Sequence, residues 1–279
     1  MTQQAGKLWV VATPIGNLED LSPRAQTVLR AADLIAAEDT RHSGALLRHC
    51  GIATRCVALH EHNERDVSGD LVRRMQDGAT IALISDAGTP LISDPGFRLV
   101  RAARAAGIVV SPVPGPSALV AALSVAGLPS DRFSFEGFLP PKSAARRARL
   151  QALRTGTDTL IFYESSHRID ESLADCAAVL GGERRGVLAR ELTKVFETVL
   201  DGTLAELAAR VAADPDQRRG EFVLLVGGAD DDADAGRLAE GRRVFDLLRR
   251  ELPPGRAAKL ASEITGAARN ALYDAAAKD

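Results

Sequence analysis

Cysteine is scarce in this 279-residue chain, and long apolar runs are absent from it. The three cysteines, Cys50, Cys56 and Cys176, are too few and of the wrong parity for a disulfide framework, so we expect a reducing, cytoplasmic setting. No window approaches the roughly 18 uninterrupted apolar residues that a membrane span needs, and residues 1–6 lack the pattern of a secretory signal. We therefore expect no membrane partner.

Lysine is also rare, since 35 residues are basic but only five of them are lysine. The formal net charge of −2 excludes a globally basic nucleic-acid coat protein, although a local basic surface remains open. Arginine's planar guanidinium suits phosphate recognition, whereas a compositional bias toward arginine would explain the same count. Hydrophobic residues make up 46% of the chain, enough to fill a core without disulfides or metals.

Short apolar runs alternate with helical patterns in the first half of the chain. Strands are predicted at 8–12, 34–37, 81–84 and 108–113, with helices at 23–32 and 97–106 among them. This alternation is typical of a parallel sheet built from βαβ units. We therefore predict an α/β protein whose N-terminal lobe spans residues 1–115.

The second half predicts a mixed sheet. Strands are expected at 133–135, 159–163, 186–191, 195–200 and 222–226, with helices at 117–126, 143–154, 169–180 and 204–212. Only three residues, Leu192, Thr193 and Lys194, separate two of these strands, which favours an antiparallel pair. We assign residues 116–228 to a C-terminal mixed α/β lobe, 229–236 to an acidic linker and 237–279 to a helical tail.

The loop 85–96 carries the densest set of polar and glycine residues and lies between a predicted strand and a helix. Hydroxyls, two carboxylates and two glycines at the carboxyl end of a parallel strand are typical of a ligand-binding loop. The alternative is a simple helix start, in which Asp94 caps the helix and Pro95 occupies its first turn.

Two further loops, 13–17 and 113–118, also follow predicted strands. Because the ends of neighbouring parallel strands meet at one edge of a sheet, the three loops predict a single crevice. None of them has the G-x-G-x-x-G or G-x-x-x-x-G-K-[ST] pattern, which argues against NAD-dependent hydride transfer and ATP hydrolysis.

Histidines and cysteines cluster between residues 49 and 62, but their spacing matches no zinc pattern. His60 and His62 alternate as strand residues do, so we expect no metal.

Basic residues are densest in the predicted helix 143–154, and no acidic residue occurs from 142 to 157. One interpretation is a solvated face whose arginines cover neighbouring leucines. The other is a track along an RNA backbone. The RNA-binding candidates are Lys142, Arg146, Arg147 and Arg149.

Several long motifs make the chain resemble the ribosomal RNA small subunit methyltransferase I family within the tetrapyrrole methylase superfamily. The resemblance covers nearly the whole chain, including the tail from Lys259 to Tyr273. The matching stretches are residues 11–17, 36–41, 85–90, 93–96, 114–116, 128–132, 136–140, 162–165 and 189–194.

The resemblance implies 2′-O-methylation of a cytidine ribose in the decoding region of 16S ribosomal RNA, with S-adenosylmethionine as methyl donor. It further implies two α/β lobes with the donor between them, a homodimer, and the ribosomal RNA or the 30S subunit as partner. The implied donor-binding residues are Pro14, Ile15, Ser85, Asp86, Gly88, Thr89, Pro90, Ile92, Ser117, Ala118 and Leu192. Members that act on tetrapyrroles carry G-D-P where Gly88-Thr89-Pro90 stands here, a departure that favours the RNA branch.

A ribose hydroxyl is a weak nucleophile and gains from a base or a nearby cation. Glu164, Lys194 and Arg41 are the candidates for that catalytic role, and each could instead belong to an ion pair between lobes. Two other functions stay open: a small-molecule methyltransferase of the same fold, and an RNA-binding protein without catalysis.

Overall fold

The computed structural model of the chain describes residues 6–229, 233–268 and 272. The chain divides into two compact units, residues 1–154 with 158–227, and residues 155–157 with 228–279. Among the described residues, no helix is long and apolar enough to cross a membrane. The first unit contains two five-stranded sheets, and the second is helical.

The first sheet is parallel throughout, with the order β3-β2-β4-β1-β5. Its strands are β1 (Lys7–Val11), β2 (Leu34–Ala37), β3 (Cys56–Ala58), β4 (Thr80–Ile84) and β5 (Val109–Val113). The helices that follow the first four strands are α1 (Pro23–Ala31), α2 (Thr40–His49), α3 (Glu64–Gln76) and α4 (Phe97–Ala105).

Both faces of this sheet are covered, which explains why its strands read as continuous apolar runs. Along β2, Leu34 and Ala36 share a hydrophobic cluster with residues of α3 and α4. Ile35 and Ala37 point to the other face and join residues of α1 and α2. The loops at the carboxyl ends of the strands are thereby held on a rigid support.

The second sheet is mixed, with the order β6-β7-β10-β8-β9, and only β6 and β7 are parallel. Its strands are β6 (Phe133–Phe138), β7 (Thr159–Ser165), β8 (Arg185–Arg190), β9 (Thr198–Thr203) and β10 (Glu221–Val226). One face packs on α6 (Ser143–Leu153), α7 (Ile169–Leu180) and α8 (Leu204–Ala213), and the other on α5 (Ala118–Val125).

The predicted α/β class with a parallel and a mixed sheet is confirmed, but two local predictions are wrong and three elements were missed. His60 and His62 lie in the turn before α3 rather than on a strand, and α2, β3 and α3 were not predicted. The antiparallel pair β8–β9 exists, yet its connection is the longer loop 191–197. Alternation over so few residues does not distinguish a strand from a turn.

The second unit contains α9 (Ala233–Leu248) and α10 (Pro254–Thr265), which share a small apolar cluster. Phe245, Ala257, Ala258 and Leu272 are buried in it. Most of the predicted helical tail after residue 268 lies outside the described residues, including Tyr273. The domain bounds inferred from the sequence stay predictions.

Candidate active site

The three loops that follow β1, β4 and β5 are joined by hydrogen bonds. Thr13 and Gly88 form an isolated β-bridge, with N–H···O distances of 2.8 and 3.1 Å in the two directions. The Thr89 hydroxyl donates to the carbonyl of Pro116 at 2.9 Å, which joins the second loop to the third. Because β1 lies between β4 and β5 in the sheet, the loops meet as the sequence predicts.

A cavity of about 360 Å³ opens beside these loops. Of the predicted donor-binding residues, seven line it: Ile15, Gly88, Thr89, Ile92, Ser117, Ala118 and Leu192. Pro14, Ser85, Asp86 and Pro90 are outside the lining. Ser85 donates from its hydroxyl to the Gly88 carbonyl at 3.3 Å, and an Asp86 carboxylate oxygen accepts from the Asp39 amide at 3.1 Å. Ser85 and Asp86 therefore hold the loop in shape.

The opposite wall of the cavity comes from the second sheet, and sequence reasoning missed most of it. Tyr163 of β7 and Val223 of β10 contribute side chains, and Ala189 contributes from β8. The Tyr163 hydroxyl accepts a hydrogen bond from the Leu119 amide at the start of α5 (3.2 Å), which ties the second sheet to the third loop. Alternating strand residues carry no sequence signal for which face meets a ligand.

Backbone strain is concentrated in two loops that contribute to the wall of this cavity, residues 85–96 and residues 191–197. Among the described residues, four that are not glycine have a positive φ: Leu91, Ser93, Glu191 and Thr193. Such conformations cost on the order of 1–3 kcal/mol each and persist only where the surrounding structure enforces them. Gly88 has φ of +84°, and a Cβ there would lie 3.3 Å from the Ile15 side chain. The loops are thus held in a shape that leaves room for a ligand.

Asp94 lies in the cavity wall, and its carboxyl group is a weaker acid than an ordinary aspartate. Burial, and then the negative charge of Glu38, raise the pKa of Asp94 to about 7. The suggestion that Asp94 caps α4 is wrong, because the N-cap is Gly96. The amides of Gly96, Arg98 and Leu99 donate instead to Glu64, which therefore stabilises the positive end of the helix dipole. A partly buried carboxyl whose pKa is raised toward neutrality is a candidate functional group.

Glu164 lines the cavity, but its carboxylate is fully engaged. One oxygen accepts from Arg168 at 2.6 Å and from the Ser165 amide at 2.9 Å, and the other accepts from Ser172 at 2.6 Å. The ion pair joins β7 to the start of α7 within one lobe. Glu164 therefore stabilises the wall that it belongs to.

Lys194 also lines the cavity, and its ammonium group lies 2.8 Å from carboxylate oxygens of Glu191 and Glu221. Burial alone would lower the pKa of Lys194, but the two carboxylates outweigh it and raise the pKa above the ordinary value. Lys194 is consequently a cation at neutral pH and a poor base. Arg41, whose side chain is 90% exposed, pairs with Asp39 and is outside the cavity lining.

The basic helix α6 differs from its prediction at one position. Arg146 is 1% exposed, with Nε 2.7 Å from Asp175 and a terminal nitrogen 3.2 Å from Glu171. The guanidinium of Arg146 is thus buried and already paired, which argues against the predicted contact between Arg146 and RNA. Arg147 and Arg149 are about half exposed and pair with Asp175 and Glu136, respectively. Lys142, just before the helix, is exposed.

Comparison with known proteins identifies the family. Residues 7–208 match the family described as Tetrapyrrole (Corrin/Porphyrin) Methylases. The chain belongs to the tetrapyrrole methylases. Residues 235–278 of this methylase also match the family described as RsmI C-terminal HTH domain, where HTH denotes helix-turn-helix.

Curated relatives of this methylase are similar over nearly their full length. The chain is 63% identical to a protein from Xylella fastidiosa strain Temecula1, covering 96% of this chain and 98% of the relative. It is 61% identical to a Pseudomonas aeruginosa protein (98% and 97%) and 55% identical to one from Escherichia coli O157:H7 (96% and 93%). All three are named ribosomal RNA small subunit methyltransferase I.

Solved structures of tetrapyrrole methylases share the fold at low identity. The methyltransferase CobJ has a TM-score of 0.60 at 20% identity, covering 81% of this chain and 95% of that one. Uroporphyrin-III-C-methyltransferase from Thermus thermophilus has a TM-score of 0.56 at 22% identity, with 80% and 94% covered. The predicted fold class, the resemblance and the methyltransferase activity that uses S-adenosylmethionine are confirmed.

Proposed function

We propose that the chain transfers a methyl group from S-adenosylmethionine to the 2′-hydroxyl of a cytidine ribose in 16S ribosomal RNA. The observation that carries the proposal is the cavity formed by strained loops on one side and the second sheet on the other. Its volume lies in the range of small-ligand sites, and its wall is mostly apolar with a few polar groups. The names of the highly similar relatives support ribosomal RNA as the acceptor.

The residues present fit a methyl donor. Ile15, Ala118 and Val223 offer apolar contact, while Ser117 and the backbone of the Gly88 loop offer polar contact. The bound donor supplies a sulfonium methyl group that is open to in-line displacement. What the chain contributes is alignment, since holding donor and acceptor in a reactive geometry supplies much of the rate of such a reaction.

The donor cavity can be tested by filling it. Ala118→Phe places a ring in the cavity from the first residue of α5. We expect at least a tenfold loss of donor affinity in calorimetry and loss of methyl transfer to unmodified 30S subunits. The matched control, Val120→Phe, lies on the same helix at an exposed position outside the cavity lining, and should bind the donor normally.

The same methyl-transfer assay distinguishes an RNA acceptor from a tetrapyrrole acceptor. Ribosomal RNA, 30S subunits and a tetrapyrrole are offered in parallel, and nuclease digestion followed by mass spectrometry locates the methyl group on the ribose. Methylation of the tetrapyrrole but not of RNA would contradict the proposal. Unchanged donor affinity in Ala118→Phe would show that the donor binds elsewhere.

The RNA surface and the larger assembly belong to this proposal as well. Lys142, Arg147 and Arg149 remain candidates for phosphate contacts, and the helix-turn-helix tail is a candidate for holding the 30S subunit or for bracing the fold. A homodimer is supported by the exposed apolar pair Val195 (93%) and Phe196 (70%), which follow Lys194 in the 191–197 loop. Light scattering reports the dimer directly as a doubled mass.

A further inference from the structure

A second cavity, of about 730 Å³, lies next to the donor cavity at the amino end of α4. Ser93 and Asp94 line both cavities and form the wall that the two have in common. The rest of the second wall comes from the end of β2, from the turn before α3 with the first residue of that helix, and from the start of α4. Its residues are Glu38, Glu61, His62, Glu64, Pro95, Phe97, Arg98 and Arg101.

Two of the four acids in this wall accept backbone amides, while its two arginines have no carboxylate partner among the described residues. Glu64 accepts three backbone amides of the α4 start, and Glu38 accepts the Asp86 amide. Arg98 and Arg101, one helical turn apart, are exposed, and within the described parts of the chain no carboxylate lies within 4 Å of either. Two unpaired guanidinium groups at the mouth of a cavity are suited to phosphate groups.

An exposed aromatic ring completes the surface. Phe97 is 60% exposed, and the guanidinium carbon of Arg101 lies 5.7 Å from the centroid of its ring. An exposed ring beside free cations is the arrangement on which an unpaired base stacks while its phosphates are neutralised. A nucleotide that reacts at its ribose must present that ribose to the donor, and Asp94 lines both this cavity and the donor cavity.

We propose that the cavity at the start of α4 receives the acceptor nucleotide, with Arg98 and Arg101 on its phosphates, and that Asp94 accepts the proton of the attacking ribose hydroxyl. This inference rests on the proposed function and names the acceptor site and base for it. Phe97 stacks on the base of the same or of a neighbouring nucleotide. Neither Lys194, which is a cation, nor Glu164, which is fully hydrogen-bonded, is available as the base.

The step balances without another reactant. The Asp94 carboxylate takes the hydroxyl proton as the ribose oxygen forms a bond to the methyl carbon. The carbon–sulfur bond breaks, and its electron pair stays on sulfur, which changes from a cationic sulfonium to a neutral thioether. Asp94 is left protonated and returns its proton to solvent. Because the pKa of Asp94 is raised to about 7, the carboxylate is a stronger base than an ordinary aspartate.

Arg98→Ala/Arg101→Ala tests the phosphate contacts. We expect KM for 30S subunits to rise at least tenfold, with donor affinity unchanged, and the slope of log affinity against log salt to fall by about 1.4–1.8. Arg104→Ala is the matched control, since Arg104 is an exposed arginine of the same helix outside the cavity. A double variant indistinguishable from this control in KM and salt slope overturns the acceptor site.

Asp94→Asn tests the base. We expect kcat to fall at least 100-fold, since general bases typically contribute 10²- to 10⁴-fold. In the wild type, kcat should rise with pH and level off above about 7, and the residual activity of the variant should lack this inflection. Groups near Asp94 that could distort the profile are Glu38, Ser85, Asp86 and Tyr163, with Glu61, His62, Glu64, Arg98 and Arg101 across the second cavity.

His62→Gln distinguishes the contribution of His62 to the pH profile of kcat from that of Asp94, and it should leave the inflection in place. Loss of the inflection in His62→Gln, or its survival in Asp94→Asn with kcat near that of the wild type, overturns the assignment of the base. These failures differ from a failure of the proposed function, in which the wild-type chain itself would not methylate ribosomal RNA.

Discussion

Helices α4 and α6 are both rich in arginine, but the fold uses them differently. On α6, Arg146 is buried against Asp175 and Glu171, while Arg147 and Arg149 each pair with a carboxylate. On α4, Arg98 and Arg101 are exposed beside a cavity, and no carboxylate of the described residues pairs with them. The arginines of α6, which lie in a segment without acidic residues, are therefore neutralised by carboxylates to a greater extent than those of α4.

The difference arises from distance along the chain. Asp175 and Glu171 lie on α7, some 25 to 29 residues after Arg146, and reach it only because α6 and α7 pack against the same face of the second sheet. Because the guanidinium of Arg146 is removed from solvent, it needs a carboxylate partner to offset the loss of hydration. The number of arginines in a sequence segment therefore does not predict how many of them can bind phosphate. That number depends on which carboxylates the fold brings near them.

The largest effect on the free energy of unfolding is expected for substitution of Arg146. Arg146→Ala leaves Asp175 with one partner fewer in a largely buried position, and we expect a loss of roughly 3–5 kcal/mol in the free energy of unfolding. Arg147→Ala, at a half-exposed pair with the same carboxylate, should cost about 1 kcal/mol or less. Urea titration measures both. Equal costs would show that burial does not distinguish the two arginines.

A second, smaller effect concerns RNA. Arg147→Ala/Arg149→Ala should lower the salt slope of 30S binding by less than the 1.4–1.8 expected for two free phosphate contacts, because both arginines already neutralise carboxylates. The α4 double variant should therefore change the slope more. Binding measured across a salt series decides the order, and the reverse order would make α6 the main RNA surface.

A third effect depends on pH and concerns stability at Asp94, in the loop before α4. The folded pKa of Asp94, about 7, exceeds the ordinary value of 3.8, so the folded chain binds more protons between these values. Protonated Asp94 favours the fold at low pH, and this contribution is lost as the pH rises toward and through about 7. Asp94→Asn should therefore have a higher Tm than the wild type at pH 8, with the difference shrinking toward pH 5. A lower Tm at pH 8 would contradict the raised pKa.

Local sequence was sufficient for much of the fold and part of the site. Apolar runs predicted the parallel strands, because a strand covered on both faces must be apolar along its whole length. The loops after β1, β4 and β5 were predicted to meet, since parallel strands end at one edge. Short elements such as β3 were missed because three residues carry too little periodicity.

Sequence by itself determined the family, the two sheets and the three loops, since motifs and apolar periodicity are local properties of the chain. Only the tertiary structure decided that Tyr163 and Val223 face those loops, that Arg146 belongs to the interior, and that Asp94 lines two cavities. Each of these depends on residues far apart in the chain. Burial and the approach of other charges set the availability of Arg146 and the acidity of Asp94, and both arise only when distant elements pack together.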